Sequence, residues 1–192
     1  MTIRERITGE YPTPQGLLSP DFDPALLGWV TRKGRPIQVA YAFDGFAAVA
    51  SGLWGEQDVV DYLFKQQSSD DPEITLVDGL PSAHDFWQLV DSGLLIWQHL
   101  NPAIVGIVQC RRQLCAVYHA DRVLQLLVET IDESDNDDVT PHVREFFDRN
   151  IVQANLGPRT PFMLHGAPMP KRTNGLGPDR PPHVNRIAPE EL

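Results

Sequence analysis

Two kinds of hydrophobic spacing recur along the chain, and they come twice in the same order. Residues 26–30 and 104–108 are short, apolar and partly β-branched; Pro24 or Pro102 precedes each and charged residues follow, which is a strand signature. Lys33-Gly34 and Arg111-Arg112 are placed to turn the chain, and residues 37–41 and 114–118 read as the return strands. Asp44 and Asp121 then stand where a helix N-cap is wanted, since a carboxylate accepts from free backbone N–H groups. In residues 122–130 the stripe Val123, Leu124, Leu126, Leu127 and Ile131 has helical spacing. A second helix is expected to open with Thr140 as cap and Pro141 at its first position. Val143, Phe146, Phe147, Ile151 and Ala154 form its buried stripe, and Gly157-Pro158 should end it. Closing strands are expected at residues 74–77 and 160–164.

The repetition extends to identities. Pro24-Ala-Leu-Leu-Gly-Trp-Val and Pro102-Ala-Ile-Val-Gly-Ile-Val align with one gap at Gly34, and Tyr41-x-x-Asp44 answers Tyr118-x-x-Asp121. The expected fold class is therefore α+β, with two tandem ββααβ units related by pseudo-symmetry through internal duplication. Proline-rich residues 1–22 read as an extended N-terminal arm, 23–80 as the first unit and 101–165 as the second. Residues 81–100 link them through a helix that buries Phe86, Leu89 and Val90 and breaks at Gly93. Residues 94–97 fit either a strand or a further helical piece. The six prolines of residues 166–192 predict a largely disordered tail.

Charge narrows the partners. The chain of 192 residues carries a net −10, and residues 166–192 hold four basic and three acidic side chains, so the first 165 residues are the acidic part. Such a body repels phosphate backbones and favours a protein partner with a basic surface. The longest apolar run, residues 93–97, is far below the roughly 20 residues of a membrane span. Residues 1–8 have mixed charge and no apolar core, which points to no secretory signal and to the cytoplasm. Cys110 and Cys115 become diagonal neighbours across a tight turn, too far apart for a disulfide, and read as two buried thiols.

Candidate chemistry is sparse. The cluster Asp132, Glu133, Asp135, Asp137 and Asp138 offers oxygen ligands but lacks the glycine and distal glutamate of a calcium loop. It reads as a solvated loop or as a docking site for a basic partner. Cys115, His119 and His142 suggest a cysteine–histidine nucleophile, but on a strand Cys115 and His119 share a face about 13 Å apart, too far for a hydrogen bond. Neither metal nor cofactor is implied. Tyr118, Asp121, Asn150 and Thr160 complete the set of polar residues inside otherwise apolar stretches that can mark a binding surface.

Residues 101–165 resemble a type of small protein of bacteria, phages and mobile elements. The resemblance is carried by Ala103-Ile-Val-Gly106, Val117-Tyr118-x-x-Asp121, Glu145-Phe-Phe-x-x-Asn150, Ala154-x-x-Gly157 and Thr160-Pro161-Phe162. In the first half Gln67 stands where Asn150 would fall and no Thr-Pro precedes Ile74. The resemblance implies no activity and no site residues. The expected function is a non-catalytic protein-binding or regulatory role, as an accessory factor of a mobile element or defence-related locus, acting through an acidic surface. Its alternatives are a nucleic-acid-mimicking inhibitor of a DNA-binding protein and a small hydrolase or transferase using Cys115 or a histidine.

Overall fold

The apolar runs become six strands of one mixed sheet in the computed structural model, which describes residues 2–10, 19–33, 35, 37–69, 72–97, 99–131 and 139–168. The strands are β1 (Leu26–Thr31), β2 (Gln38–Ala42), β3 (Thr75–Val77), β4 (Ile104–Cys110), β5 (Gln113–His119) and β6 (Phe162–His165). The helices are α1 (Ile3–Glu10), α2 (Phe43–Trp54), α3 (Glu56–Ser68), α4 (Ala83–Asp91), α5 (Ala120–Ile131) and α6 (Val139–Phe146), the last running on as a π-helical segment, Phe147–Val152. The chain is thus α+β.

Strand order is β3-β2-β1-β6-β5-β4. β1 and β2 are antiparallel, with Leu26 opposite Tyr41, and β2 and β3 are parallel. β4 and β5 are likewise antiparallel, with Ile104 opposite Tyr118, and β5 and β6 are parallel. Antiparallel pairing of β1 with β6 joins the two halves. The outer edges also meet: Asp78 and Ile107 exchange both backbone hydrogen bonds, at 2.8 and 3.0 Å. The sheet therefore curls back on itself, and this contact occupies the edge positions that would otherwise leave unpaired N–H and C=O groups.

A bulge sits at Gly28 in β1 and another at Gly106 in β4. Both glycines are forced by close approach. A Cβ at Gly28, whose φ is +148°, would overlap the carbonyl oxygen of His165; one at Gly106 would overlap that of Asp78.

Alternation along the strands divides the core. Val30, Ala40, Val77, Val108, Val117 and Leu164, one from each strand, cluster with Cys110, Cys115 and Phe162 inside the curl. On the outside of the first half, Trp29, Val39, Tyr41 and Leu76 meet Ile7, Phe22, Phe46, Ala50 and Val59. In the second, Ile104, Ala116, Tyr118 and Met163 meet Phe86, Trp97, Val123, Phe147 and Ile151. Each such aromatic or aliphatic side chain contributes about 1.5–3 kcal/mol on burial. No helix among the described residues is long and apolar enough to cross a membrane.

Several local expectations need correction. Within the segment expected to be an extended arm, residues 3–10 are helical. The Thr2 hydroxyl accepts from the Glu5 N–H at 3.2 Å while the Glu5 carboxylate accepts from the Thr2 N–H at 2.7 Å. That reciprocal cap starts α1, and the fully buried Ile7 holds it to the core. Asp44 and Asp121 lie in the first helical turns, not at the caps, where their charge still favours the positive end of the helix dipole. The capping role assigned to Asp121 falls to His119, whose Nδ1 accepts from the Arg122 N–H at 3.4 Å. Thr140 is inside α6, one residue past its start. The helical run ends at Val152, well before Gly157, and β6 starts two residues later than expected, at Phe162. Residues 94–97 form no regular element of their own. The Arg111-Arg112 turn is tight, with both φ values positive (52° and 61°), whereas in the first hairpin β1 ends at Thr31 and β2 begins only at Gln38.

Candidate functional site

The most distinctive surface among the described residues is the outward side of α2 and α3. Helix α2 buries Phe46 and Ala50, and α3 buries Val59 and Gln66. Their spacing leaves the opposite face of α3 to Glu56, Val60, Asp61 and Phe64, three to four residues apart. Among the described residues, Leu53, Val60 and Phe64 are the large hydrophobics that remain in solvent, at 52 %, 58 % and 71 % exposure. Exposed apolar side chains gathered on one helix pair, with Glu56, Asp58 and Asp61 among them, differ from the scattered ones any surface carries.

Beside them is a shallow concavity of about 560 Å³, lined by Trp54, Asp58, Tyr62 and Glu73. The two rings meet edge to face at 5.3 Å, and Phe46 braces both from below, at 6.0 and 5.8 Å. Burial pushes the Tyr62 phenol up to about 12, with the Glu73 carboxylate adding to the shift, so the phenol stays neutral. Lys65 lies 3.7 Å from Glu73, but both side chains are well exposed, and such pairs contribute little. Two aromatic rings flanked by two carboxylates are a combination whose chemistry suits a cationic side chain, through ring π-systems and counter-charge.

The polar residues singled out from the sequence do not converge. Tyr118 is fully buried, and its hydroxyl accepts from the Trp97 N–H at 2.8 Å; burial raises its pKa far above the ordinary phenol range. Thr160 is buried and closes its own loop, accepting from the Leu156 N–H at 2.8 Å and donating to the Gly157 carbonyl at 2.7 Å. Asp121 is exposed, and Asn150 is half-buried in the π-helical segment. Asp132, Glu133, Asp135, Asp137 and Asp138 lie outside the described residues, as do residues 169–192 of the expected tail.

Nor do the nucleophile and base candidates meet. Cys115 donates to the Pro158 carbonyl at 3.5 Å, whereas His119, at the other end of β5, shares its Nε2 with the Ala167 carbonyl at 3.1 Å. Since His119 Nδ1 accepts a backbone N–H, Nε2 carries the proton and donates. Burial pushes the Cys115 thiol up to about 11, against the lowering influence of Arg32, so the thiolate needed for attack is scarce at neutral pH. Cys110 and Cys115 are both free and buried. His142 is exposed at the start of α6. No group of three or more His, Cys, Asp or Glu among the described residues is arranged to hold a metal ion.

Reasoning from the sequence missed the α2–α3 surface. The signal was available: Val60 and Phe64 lie four apart, out of phase with the buried Val59 and Gln66 and the half-buried Tyr62 and Leu63. No family model matches the chain, and comparison with curated proteins and with solved structures gives no significant match.

Proposed function

We propose that the protein is a non-catalytic binding module whose α2–α3 surface docks a basic, partly apolar segment of another protein. The observation that carries this reading is the concavity of Trp54, Tyr62, Asp58 and Glu73 beside exposed Leu53, Val60 and Phe64. A lysine or arginine of the partner sits over the rings, and its apolar neighbours cover Val60 and Phe64. Aromatic and charged groups of this kind supply most of the energy of many interfaces. The net charge of −10 steers a basic partner toward the protein before contact.

The paired elements of the two halves support reading them as copies of one ββααβ unit. The bulges at Gly28 and Gly106 and the tyrosines at 41 and 118 take equivalent places. On that reading the copies diverged, and the exposed docking face belongs to the first. A place among accessory factors of mobile elements or defence-related loci rests on the resemblance of residues 101–165.

Photo-crosslinking in cells that express the full chain tests the docking surface. A crosslinker in place of Gln57, exposed on the same helix, should trap a discrete protein adduct. One in place of exposed His142 should not. The Gln57 adduct should vanish with Asp58→Lys and weaken with Phe64→Ser. Equal yields from both positions, or an adduct indifferent to Asp58→Lys, would refute the proposal.

A further inference from the structure

Past β6 the chain leaves the sheet beside α2. Antiparallel pairing puts His165 opposite Trp29, and a Cβ on Gly28 would stand 3.3 Å from the Ala167 nitrogen. At the same end of the sheet, a Cβ on Gly45 in the first turn of α2 would stand 3.0 Å from that of Ala25. α2 thus starts at the end of the sheet from which residues 169–192 continue. It is 12 residues long, about 18 Å at the helical rise, and its far end carries Leu53 and Trp54. Arg180 is 13 positions beyond Ala167, and that length of extended chain spans roughly 40 Å. Residues 180–187 can therefore reach the Trp54–Tyr62 concavity with slack.

The sequence of that segment complements the surface. Arg180-Pro-Pro-His-Val-Asn-Arg-Ile187 holds two arginines, no carboxylate, and the apolar Val184 and Ile187 on either side of Arg186. Residues 43–68, which span α2 and α3, hold four acidic side chains and one basic. Asp58 and Glu73 line the concavity with Trp54 and Tyr62, and Leu53, Val60 and Phe64 stand exposed beside it. The spacing of the cations is specific as well. A polyproline II helix turns once in three residues, so in that form Arg180, His183 and Arg186 share one edge, about 9 Å apart. Proline pre-sets this backbone, so ordering a segment that contains Pro181-Pro182 costs less. Proline-rich segments also dock against aromatic grooves, and the Trp54 and Tyr62 rings meet edge to face at 5.3 Å.

We propose that residues 180–187 of the chain itself dock on the α2–α3 surface, with Arg186 entering the Trp54–Tyr62 concavity between Asp58 and Glu73 while Val184 and Ile187 cover Val60 and Phe64. The proposal rests on the docking reading above and adds a regulation to it: the tail covers the surface until a basic partner displaces it. Tethering makes a weak contact sufficient. A linker of this length holds the segment at an effective concentration on the order of millimolar, so a contact too weak to form between separate molecules still occupies the surface. Arg186 and an arginine of the partner cannot sit over the rings together. Affinity for the partner therefore falls in proportion to the fraction of molecules left open.

Crosslinking within the purified full chain provides the test. A photo-crosslinker in place of Gln57, at low protein concentration, should give an adduct that migrates as a single chain and that peptide mass spectrometry places in residues 180–187. Arg186→Glu and Asp58→Lys should each lower its yield about tenfold, and the two together should recover most of it, because the charges are exchanged. Asp58 is exposed, so its replacement leaves the core intact. A fluorescent peptide of residues 178–189 should bind the Arg186→Glu full chain about tenfold more tightly than the unaltered chain. No internal adduct, an adduct outside residues 180–187, equal peptide affinities, or no recovery in the double exchange would each overturn the proposal. An adduct of two chains whose yield rises with concentration would make a second copy the occupant and overturn the assignment to the same molecule. The docking reading fails separately. An internal adduct with no foreign protein trapped in cells, even with Arg186→Glu, would remove the partner and keep the tail; a foreign adduct in cells without an internal one would do the reverse.

Discussion

Two seams close the curled sheet, and they are built to different strengths. Between β1 and β6 three residue pairs lie opposite one another: Trp29 with His165, Val30 with Leu164 and Thr31 with Met163. Between β3 and β4 there is one pair, Asp78 with Ile107. Both seams start from a glycine bulge, so the difference arises beyond it. At the first, the Trp29 and His165 rings stack at 5.7 Å, and His165 Nε2 and Thr31 Oγ1 share a hydrogen bond of 2.9 Å. At the second, β3 has only three residues, and the space beyond the bridge holds a small cavity of about 20 Å³ lined by Gln38, Thr75, Gln109 and Cys110 among others. Gln38 lines that cavity from β2, accepting from the Thr75 hydroxyl at 2.9 Å and donating to the Pro72 carbonyl, so its amide is engaged within the first half and does not reach across to β4. Three ladder pairs and stacked rings hold one seam, and a single backbone bridge holds the other.

The glycines test that contrast most severely. Gly28→Ala should cost about 3 kcal/mol or more, because the new methyl meets the His165 carbonyl and the positive φ is strained as well. Gly106→Ala meets the Asp78 carbonyl without a positive φ, at a seam with one bridge to lose, and should cost about 1–2 kcal/mol. Urea unfolding of both variants measures the difference; equal losses would show that the seams bear equal loads.

His165 gives the next largest effect. Burial lowers its pKa to about 4 from 6.5, assisted by His119 and opposed by the carboxylates of Asp121 and Asp148. The folded state therefore holds this imidazole neutral where the unfolded chain would protonate it. The stability it contributes is fully present above pH 6.5 and is lost as pH falls from 6.5 toward 4, by on the order of 2–3 kcal/mol. In His165→Asn that part of the pH dependence should disappear. A stability profile between pH 4 and 6.5 unchanged by the substitution would contradict the burial seen at this seam.

The smallest effect concerns how α4 and its following loop attach to the second half. Tyr118→Phe removes the acceptor of the buried Trp97 N–H and should cost about 1–2 kcal/mol. Thermal or urea unfolding reads this directly. A neutral result would mean that water reaches Trp97.

Legibility from the sequence followed the range of the interactions. The strands of both hairpins were readable because β-branched, apolar segments bounded by proline and charged turns have few alternatives. The diagonal placement of Cys110 and Cys115 followed from a two-residue turn, and the structure has that turn. The helix at residues 3–10 is hard to see in the sequence because prolines follow it closely, although Thr2 and Glu5 stand at capping-box spacing. The candidate sites were least legible. Tyr118 and Thr160 looked like polar marks on an apolar background, but their hydroxyls are engaged in internal hydrogen bonds. Arg32 looked like an ordinary turn residue, since nothing local indicates that Phe162 and the Gly157 and Pro158 carbonyls will enclose it.

Local chemistry thus determined most of the strands and helices and their order: hydrophobic period and turn residues act within a few residues of one another. The tertiary structure alone decided that the six strands curl until Asp78 meets Ile107, that one seam is laced and the other bridged, and that the two distant hairpin turns line one concavity. Each of those outcomes depends on backbone groups meeting across more than a hundred residues or between separate strands. Such groups are alike at nearly every position, so the side-chain pattern does not reveal their partners until the chain has folded.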